Sequence, residues 1–265
     1  MARSAILAVG GAEDKVDRRE VLERFVHEAG GVRARIAILP TASTVPDEKA
    51  AFYQQVFAEI GAQSAVHVPI VTREDADAVP HAAAIAGATG VFLTGGDQSR
   101  LVEVLSGTAC FRALRERLSE GGVLAGTSAG ASAFSSTMIV GGETGLQVRR
   151  DGVRLAPGLG IITRLIIDQH FSQRERLGRL LAATALERDR FGVGIDEDTA
   201  IVYYGDGKLE VIGSGQVFVI DASKAQSRGL EQATEGTVSL TGVVLHVLAP
   251  GDRFDVAARR LTRPS

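Results

Sequence analysis

Along the first two-thirds of the chain, short apolar runs alternate with amphipathic stretches in which apolar residues recur every three or four positions. Runs of four to eight apolar residues suit buried strands, and the three-to-four spacing suits helices with one buried face. The pattern predicts strands over Ala5–Val9, Arg35–Leu39, Ser64–Val68, Val91–Leu93, Val123–Ala125 and Leu165–Ile167. Helices are expected over Val16–Ala29, Asp47–Ile60, Glu74–Ala86, Phe111–Ser119 and Arg174–Glu187. Strand and helix in alternation imply a mostly parallel sheet with helices on both faces. From about residue 193 the helical spacing disappears. Segments around Val193–Asp196, Ala200–Tyr204, Leu209–Ile212, Val217–Ile220 and Val238–Val247, with turns at Gly205–Gly207 and Gly213–Gly215, read as an antiparallel extension of the same sheet. No linker, repeat or low-complexity stretch interrupts the chain, so residues 1–265 are expected to form one α/β domain.

With 265 residues and 45% hydrophobic content, the chain is long enough for a full core. No apolar run approaches a membrane span, and Ala5–Val9 is too short for a signal-peptide core, so a cytoplasmic protein is expected. Its single cysteine, Cys110, excludes an internal disulfide and reads as a packing residue among helical neighbours. A formal net charge of −3 gives no general attraction to nucleic acid or membrane. Any basic site must be local.

The unusual polar clusters fall where predicted strands end: Gly10-Gly11, Thr41–Ser43, Gly95–Gln98, Ser128 and Asp168–His170. Ligands of an open α/β sheet bind beyond the carboxyl ends of its strands, so these clusters are expected on one rim. Gly126-Thr-Ser128-Ala-Gly130 is a G-x-S-x-G stretch between a strand and a helix start. Such an elbow projects the serine hydroxyl at a helix N-terminus, where the N–H of Ala129 can face a developing oxyanion. Gly96, at a neighbouring strand end, is the natural second donor. A serine needs a base and the base an orienting acceptor. Of five histidines, His27, His67, His81 and His246 fall within or near predicted helices and strands, and only His170 follows the end of a predicted parallel strand. Glu143 keeps the chain order nucleophile, acid, histidine, and Asp168 and Asp196 are alternatives for the third member. Arg174, Arg176 and Arg179 follow the histidine loop, the last two on a shared helical face, and suit a substrate carboxylate. Gln98 and Gln169 can hydrogen-bond a substrate amide.

At these residues the chain resembles the cyanophycinases, in the serine peptidase family that also contains the aspartyl dipeptidases called peptidase E. The matching stretches are Gly10–Lys15, Pro40–Ser43, Phe92–Gln98, Gly126–Ala131, Ile167–Phe171 with its arginines, and Gly194–Glu197. The resemblance implies a three-layer αβα fold like that of class I glutamine amidotransferases (flavodoxin-like), and a homodimer without metal or organic cofactor. It implies Ser128 as nucleophile and His170 as base, with Gln98, Asp168, Gln169, Arg174, Arg176 and Arg179 lining the substrate pocket and acidic groups such as Asp168 receiving guanidinium groups. The implied reaction is hydrolysis of the polyaspartate backbone of cyanophycin to β-Asp-Arg dipeptides through an acyl-enzyme. Two other readings remain at this point, a peptidase E-like dipeptidase and a non-catalytic binder of anionic metabolites. An ordinary α/β-hydrolase esterase fits poorly, because no His-Gly-Gly-Gly element precedes the elbow and only His246 follows His170.

Overall fold

A computed structural model describes residues 4–230 and 236–262. The first half runs β1 (Ala5–Val9), α1 (Glu20–Glu28), β2 (Arg35–Leu39), α2 (Pro46–Ile60), β3 (Ser64–His67), α3 (Arg73–Asp77), α4 (Val79–Gly87), β4 (Gly90–Leu93), α5 (Gln98–Leu105), α6 (Ala109–Ser119), β5 (Val123–Thr127) and the one-turn α7 (Ala129–Ser132). Local chemistry sets these bounds. Pro46 preorganises the first turn of α2, where Asp47 and Glu48 face the positive end of the helix dipole, and Gly61 at φ 96° ends it. Asp97 caps α5 by accepting from the Ser99 N–H at 2.8 Å.

The second half continues with the hairpin β6 (Thr137–Gly142) and β7 (Val153–Pro157), then β8 (Leu165–Gln169) and α8 (Leu177–Leu186). After them come β9 (Phe191–Ile195), β10 (Thr199–Tyr204), β11 (Lys208–Gly213), β12 (Val217–Asp221), β13 (Gln226–Arg228), β14 (Ser239–Thr241), β15 (Val244–Leu248), β16 (Arg253–Asp255) and β17 (Arg260–Thr262).

The large sheet has the order β17-β16-β11-β10-β1-β5-β4-β2-β3. From β1 through β5, β4 and β2 to β3 every pairing is parallel. From β1 outward through β10, β11, β16 and β17 every pairing is antiparallel. The expected antiparallel extension therefore exists, but only part of the predicted set builds it. β8, β9, β12 and β15 instead form a second sheet, in the order β15-β12-β9-β8. The cause is two-sided burial. Leu165, Ile167, Val193, Ile195, Val217 and Val219 face the core beneath the large sheet, while Ile166 and Ile220 pack under α8. Apolar residues on both sides need a covering layer on each, which a sheet held between the large sheet and α8 obtains.

The other face of the large sheet is closed by α1 and α2, whose Leu22, Phe25, Tyr53 and Phe57 pack on Leu7, Ile36, Ile38 and Phe92. Cys110 lies in the opposite core, and burial pushes its thiol up to about 11, which keeps it an unreactive packing group.

The helix expected over Arg174–Glu187 starts later. Residues Ser172–Arg174 form a 3₁₀ turn, Glu175 is left-handed at φ 50°, and α8 begins at Leu177. This turn hooks the chain back over β8. Arg176 thereby sits at the helix entrance rather than on a helical face shared with Arg179.

Candidate active site

β5 ends at Thr127 and α7 begins at Ala129, so Ser128 alone makes the corner, at φ 52° and ψ −111°. A positive φ costs a non-glycine residue about 1–3 kcal/mol and persists only where its surroundings enforce it. Here the flanking glycines allow the elbow to close. A β-carbon on Gly126 would lie 2.6 Å from the carbonyl oxygen of Gly130, and one on Gly130 would lie 2.5 Å from that of Leu93. Ala129 opens α7, so its N–H has no acceptor within the helix.

Ser128 Oγ lies 3.0 Å from His170 Nε2, and His170 Nδ1 lies 2.6 Å from Glu197 Oε1. Serine, imidazole and carboxylate thus form one continuous chain. His170 comes from the end of β8 and is itself left-handed at φ 49°. The parallel pairing of β8 with β9 sets Gln169 opposite Ile195, which brings Glu197 beside the ring. Gly11, at φ 96°, lets the imidazole lie flat on the backbone, since a β-carbon there would sit 2.5 Å from Nε2. Burial pushes the His170 pKa below its ordinary value. The bond to Glu197 works against this, and the charges of Arg174 and Arg176 reinforce it. A neutral imidazole, able to accept the serine proton at neutral pH, is the result.

The expectation for Glu143 does not fit this geometry. Glu143 stands in the β6–β7 hairpin with its side chain 54% exposed and 3.5 Å from Arg149, and no contact joins it to His170. Asp196 is spent on the backbone, accepting from Ser172 N at 3.0 Å and Gln216 N at 3.2 Å, and so braces the histidine loop. Asp168 is buried and paired with two arginines: Arg179 Nε donates to it at 2.7 Å, and Arg176 Nη1 lies 3.3 Å away. It is therefore not open to a substrate guanidinium. Glu197 was within reach of the sequence, because Gly194–Glu197 is one of the stretches that carry the resemblance. Chain order pointed elsewhere.

The three arginines divide into two kinds. Arg176 and Arg179 are buried with Asp168 and form a rigid floor, with burial pulling Arg176 down to about 10 while Asp168 opposes the fall. Arg174 is exposed and lines a cavity of about 550 Å³ together with Arg154 from β7, Gln98, Gln169, Gly96 and Ser128. Among the described residues neither Arg154 nor Arg174 has a carboxylate partner, so the open end of this cavity is cationic. Gln98 Nε2 donates to the Ile139 carbonyl at 2.9 Å, and Gln169 Oε1 lies 3.3 Å from Ser128 Oγ. A second cavity of about 480 Å³, lined by Lys15, Lys49 and Tyr53 among others, meets the first at Gly96 and Ser128. Arg154 was not expected, because it lies in the β6–β7 hairpin, in a stretch with no motif of its own.

A serine–histidine–carboxylate chain at the carboxyl end of parallel strands is the arrangement of serine hydrolases. Peptidase family S51 matches residues 5–211, and the chain belongs to that family. It is 41% identical over 259 residues to the cyanophycinase of Trichormus variabilis (strain ATCC 29413 / PCC 7937), covering 97% of this chain and 87% of that one. It is likewise 41% identical over 255 residues to the cyanophycinase of Geminocystis herdmanii (strain PCC 6308), covering 96% and 94%. The crystal structure of a peptidase from an acI-B1 Actinobacterium has a similar fold, with a TM-score of 0.66 at 22% identity, over 91% of this chain and 96% of that one. No described helix is long and apolar enough to cross a membrane.

Proposed function

We propose that this protein is a serine-type peptidase that hydrolyses the polyaspartate backbone of cyanophycin to β-Asp-Arg dipeptides. The observation that carries the reading is the Ser128–His170–Glu197 chain opening onto a cavity lined by the guanidinium groups of Arg154 and Arg174, which have no carboxylate partner among the described residues. Identity to cyanophycinases over nearly the whole chain supports the choice of substrate. In the same reading residues 1–265 form one hydrolytic domain, a three-layer αβα unit like the class I glutamine amidotransferases, acting in the cytoplasm as a homodimer.

His170 Nε2 takes the proton of Ser128 as Oγ attacks the aspartyl main-chain carbonyl. The N–H groups of Ala129 and Gly96 hold the resulting oxyanion. Collapse breaks the C–N bond, His170 returns the proton to the departing amine, and a water deprotonated by His170 then hydrolyses the acyl-enzyme. Glu197 keeps the proton on Nδ1, so that Nε2 remains the acceptor. Each arginine of cyanophycin carries a free α-carboxylate, and Arg154 and Arg174 are suited to hold it bidentately. Arg176, Arg179 and Asp168 support that surface from beneath, and Gln98 and Gln169 face the peptide.

The closest competing reading is a peptidase E-like aspartyl dipeptidase, which uses the same chemistry on short peptides. Purified protein is given insoluble cyanophycin and, separately, a set of Asp-X dipeptides. Clearing of the suspension with little dipeptide cleavage is expected, and cleavage of the dipeptides alone refutes the polymer as substrate.

A further inference from the structure

One buried carboxylate takes no part in the chemistry above. Glu13 is 2% exposed, in the Gly10–Lys15 stretch that follows β1. Its Oε2 accepts from Thr127 Oγ1 at 2.6 Å, its Oε1 accepts from the Tyr53 hydroxyl, and Lys15 Nζ lies 3.3 Å from Oε1. Burying a carboxylate is costly unless its oxygens are satisfied, and these partners satisfy both. Burial and the Glu13 charge push the Tyr53 pKa well up, so its hydroxyl remains a proton donor.

Thr127 is the residue immediately before the nucleophile. The chain leading to Glu13 also holds the rest of the site. Val9 O accepts from Ser128 N at 3.0 Å, Gly10 O from His170 N at 2.8 Å, and Gly11 O from Asp198 N at 2.9 Å. Three consecutive carbonyls thus fix the backbone of the serine, of the histidine and of the residue after Glu197. Asp14 N adds a bond to Asp198 Oδ1 at 2.7 Å. Between these anchors Ala12 is left-handed at φ 46°, a conformation that needs support from outside the loop. Glu13 supplies that support by tying the loop to the end of β5.

We propose that Glu13 is a positioning residue, whose carboxylate clamps the loop of residues 9–14 against Thr127 and so sets the spacing of Ser128, His170 and Glu197. The inference rests on the reading of Ser128 as nucleophile. Misplacement of a reacting group by about 1 Å can cost about 10²-fold in rate, so a clamp that touches none of the reacting atoms still has a large effect on turnover.

The test uses Glu13→Ala, Glu13→Gln, Thr127→Val and the Glu13→Ala/Thr127→Val double variant. For each, kcat and KM on the peptide substrate are measured with the rate at which a fluorophosphonate labels Ser128, and circular dichroism and the melting midpoint report folding. Glu13→Ala and Thr127→Val are expected to lower kcat and the labelling rate by about 10- to 100-fold with KM within about 3-fold. Glu13→Gln, whose carbonyl still accepts from Thr127, is expected within about 5-fold of wild type. The double variant is expected to be no worse than the weaker single one. A folded Glu13→Ala protein with wild-type kcat and labelling overturns the proposal, as do losses that multiply in the double variant. Should Glu13→Ala not fold, Thr127→Val decides, and unchanged labelling there overturns the proposal. Wild-type protein that cleaves peptide without labelling at Ser128 refutes the underlying reading and this inference with it.

Discussion

Replacing Glu197 by glutamine keeps the size of the side chain and removes its charge from a position 2.6 Å from His170 Nδ1. Two effects follow. As Ser128 gives up its proton, the imidazole becomes a cation, and a carboxylate whose charge lies about 4 Å from the ring centre stabilises it by about 4 kcal/mol at an effective dielectric of 20. Glu197 is 36% exposed, so solvent screening brings this nearer about 3 kcal/mol. Each 1.36 kcal/mol is tenfold in rate, which gives about 10²-fold. The glutamine amide can also donate to Nδ1 and favour the tautomer with its proton on Nε2, which cannot act as base, so the full loss is expected at about 10²–10³-fold in kcat. KM is expected within about 3-fold, because Glu197 does not line the arginine cavity. The pH profile adds a signed check. His170 must be neutral to act, so activity rises with pH through a His170 pKa that lies below the ordinary histidine value. Glu197 raises that pKa, so its removal is expected to move the acid limb to lower pH. Steady-state kinetics from pH 4.5 to 8 measure both. A kcat within 3-fold of wild type, or an acid limb displaced upward, refutes the role given to Glu197.

Gly11→Ala places a β-carbon against the His170 ring at a φ of 96°, and a loss of at least about 10²-fold in kcat is expected, read together with the melting midpoint. Asp168→Asn leaves Arg176 and Arg179 as buried cations without a carboxylate, and urea unfolding is expected to show a loss of about 3–5 kcal/mol. Arg174→Ala removes a charge that lowers the His170 pKa, so the acid limb is expected to move to higher pH while KM for cyanophycin rises about tenfold or more. Arg154→Ala is expected to raise KM similarly without shifting the pH profile, a difference the same pH series detects.

The parallel half of the fold was legible in the alternation of apolar runs and helical spacing, because each strand from β1 to β4 is followed by a helical crossover that leaves a clear signature. The fate of the later strands was not. Two-residue periodicity says that Val193, Val217 and their neighbours are buried, but not which strand edge they pair with, and the strands that carry them lie in a second sheet. Ser128 and His170 were readable because each sits where a predicted strand ends. The acceptor of His170 depends on the register between β8 and β9, a long-range pairing that the order of residues does not express. For the arginines, the sequence displays three equivalent cations, and only the buried Asp168 separates Arg176 and Arg179 from the open Arg174.

Whether Ser128 cleaves the cyanophycin backbone is decided by a mass spectrum of the soluble products formed from the polymer by the wild-type protein and by Ser128→Ala. β-Asp-Arg dipeptides from the wild type, and none from the variant, are the predicted result. An intact polymer, free arginine in place of the dipeptide, or dipeptide from both proteins contradicts it.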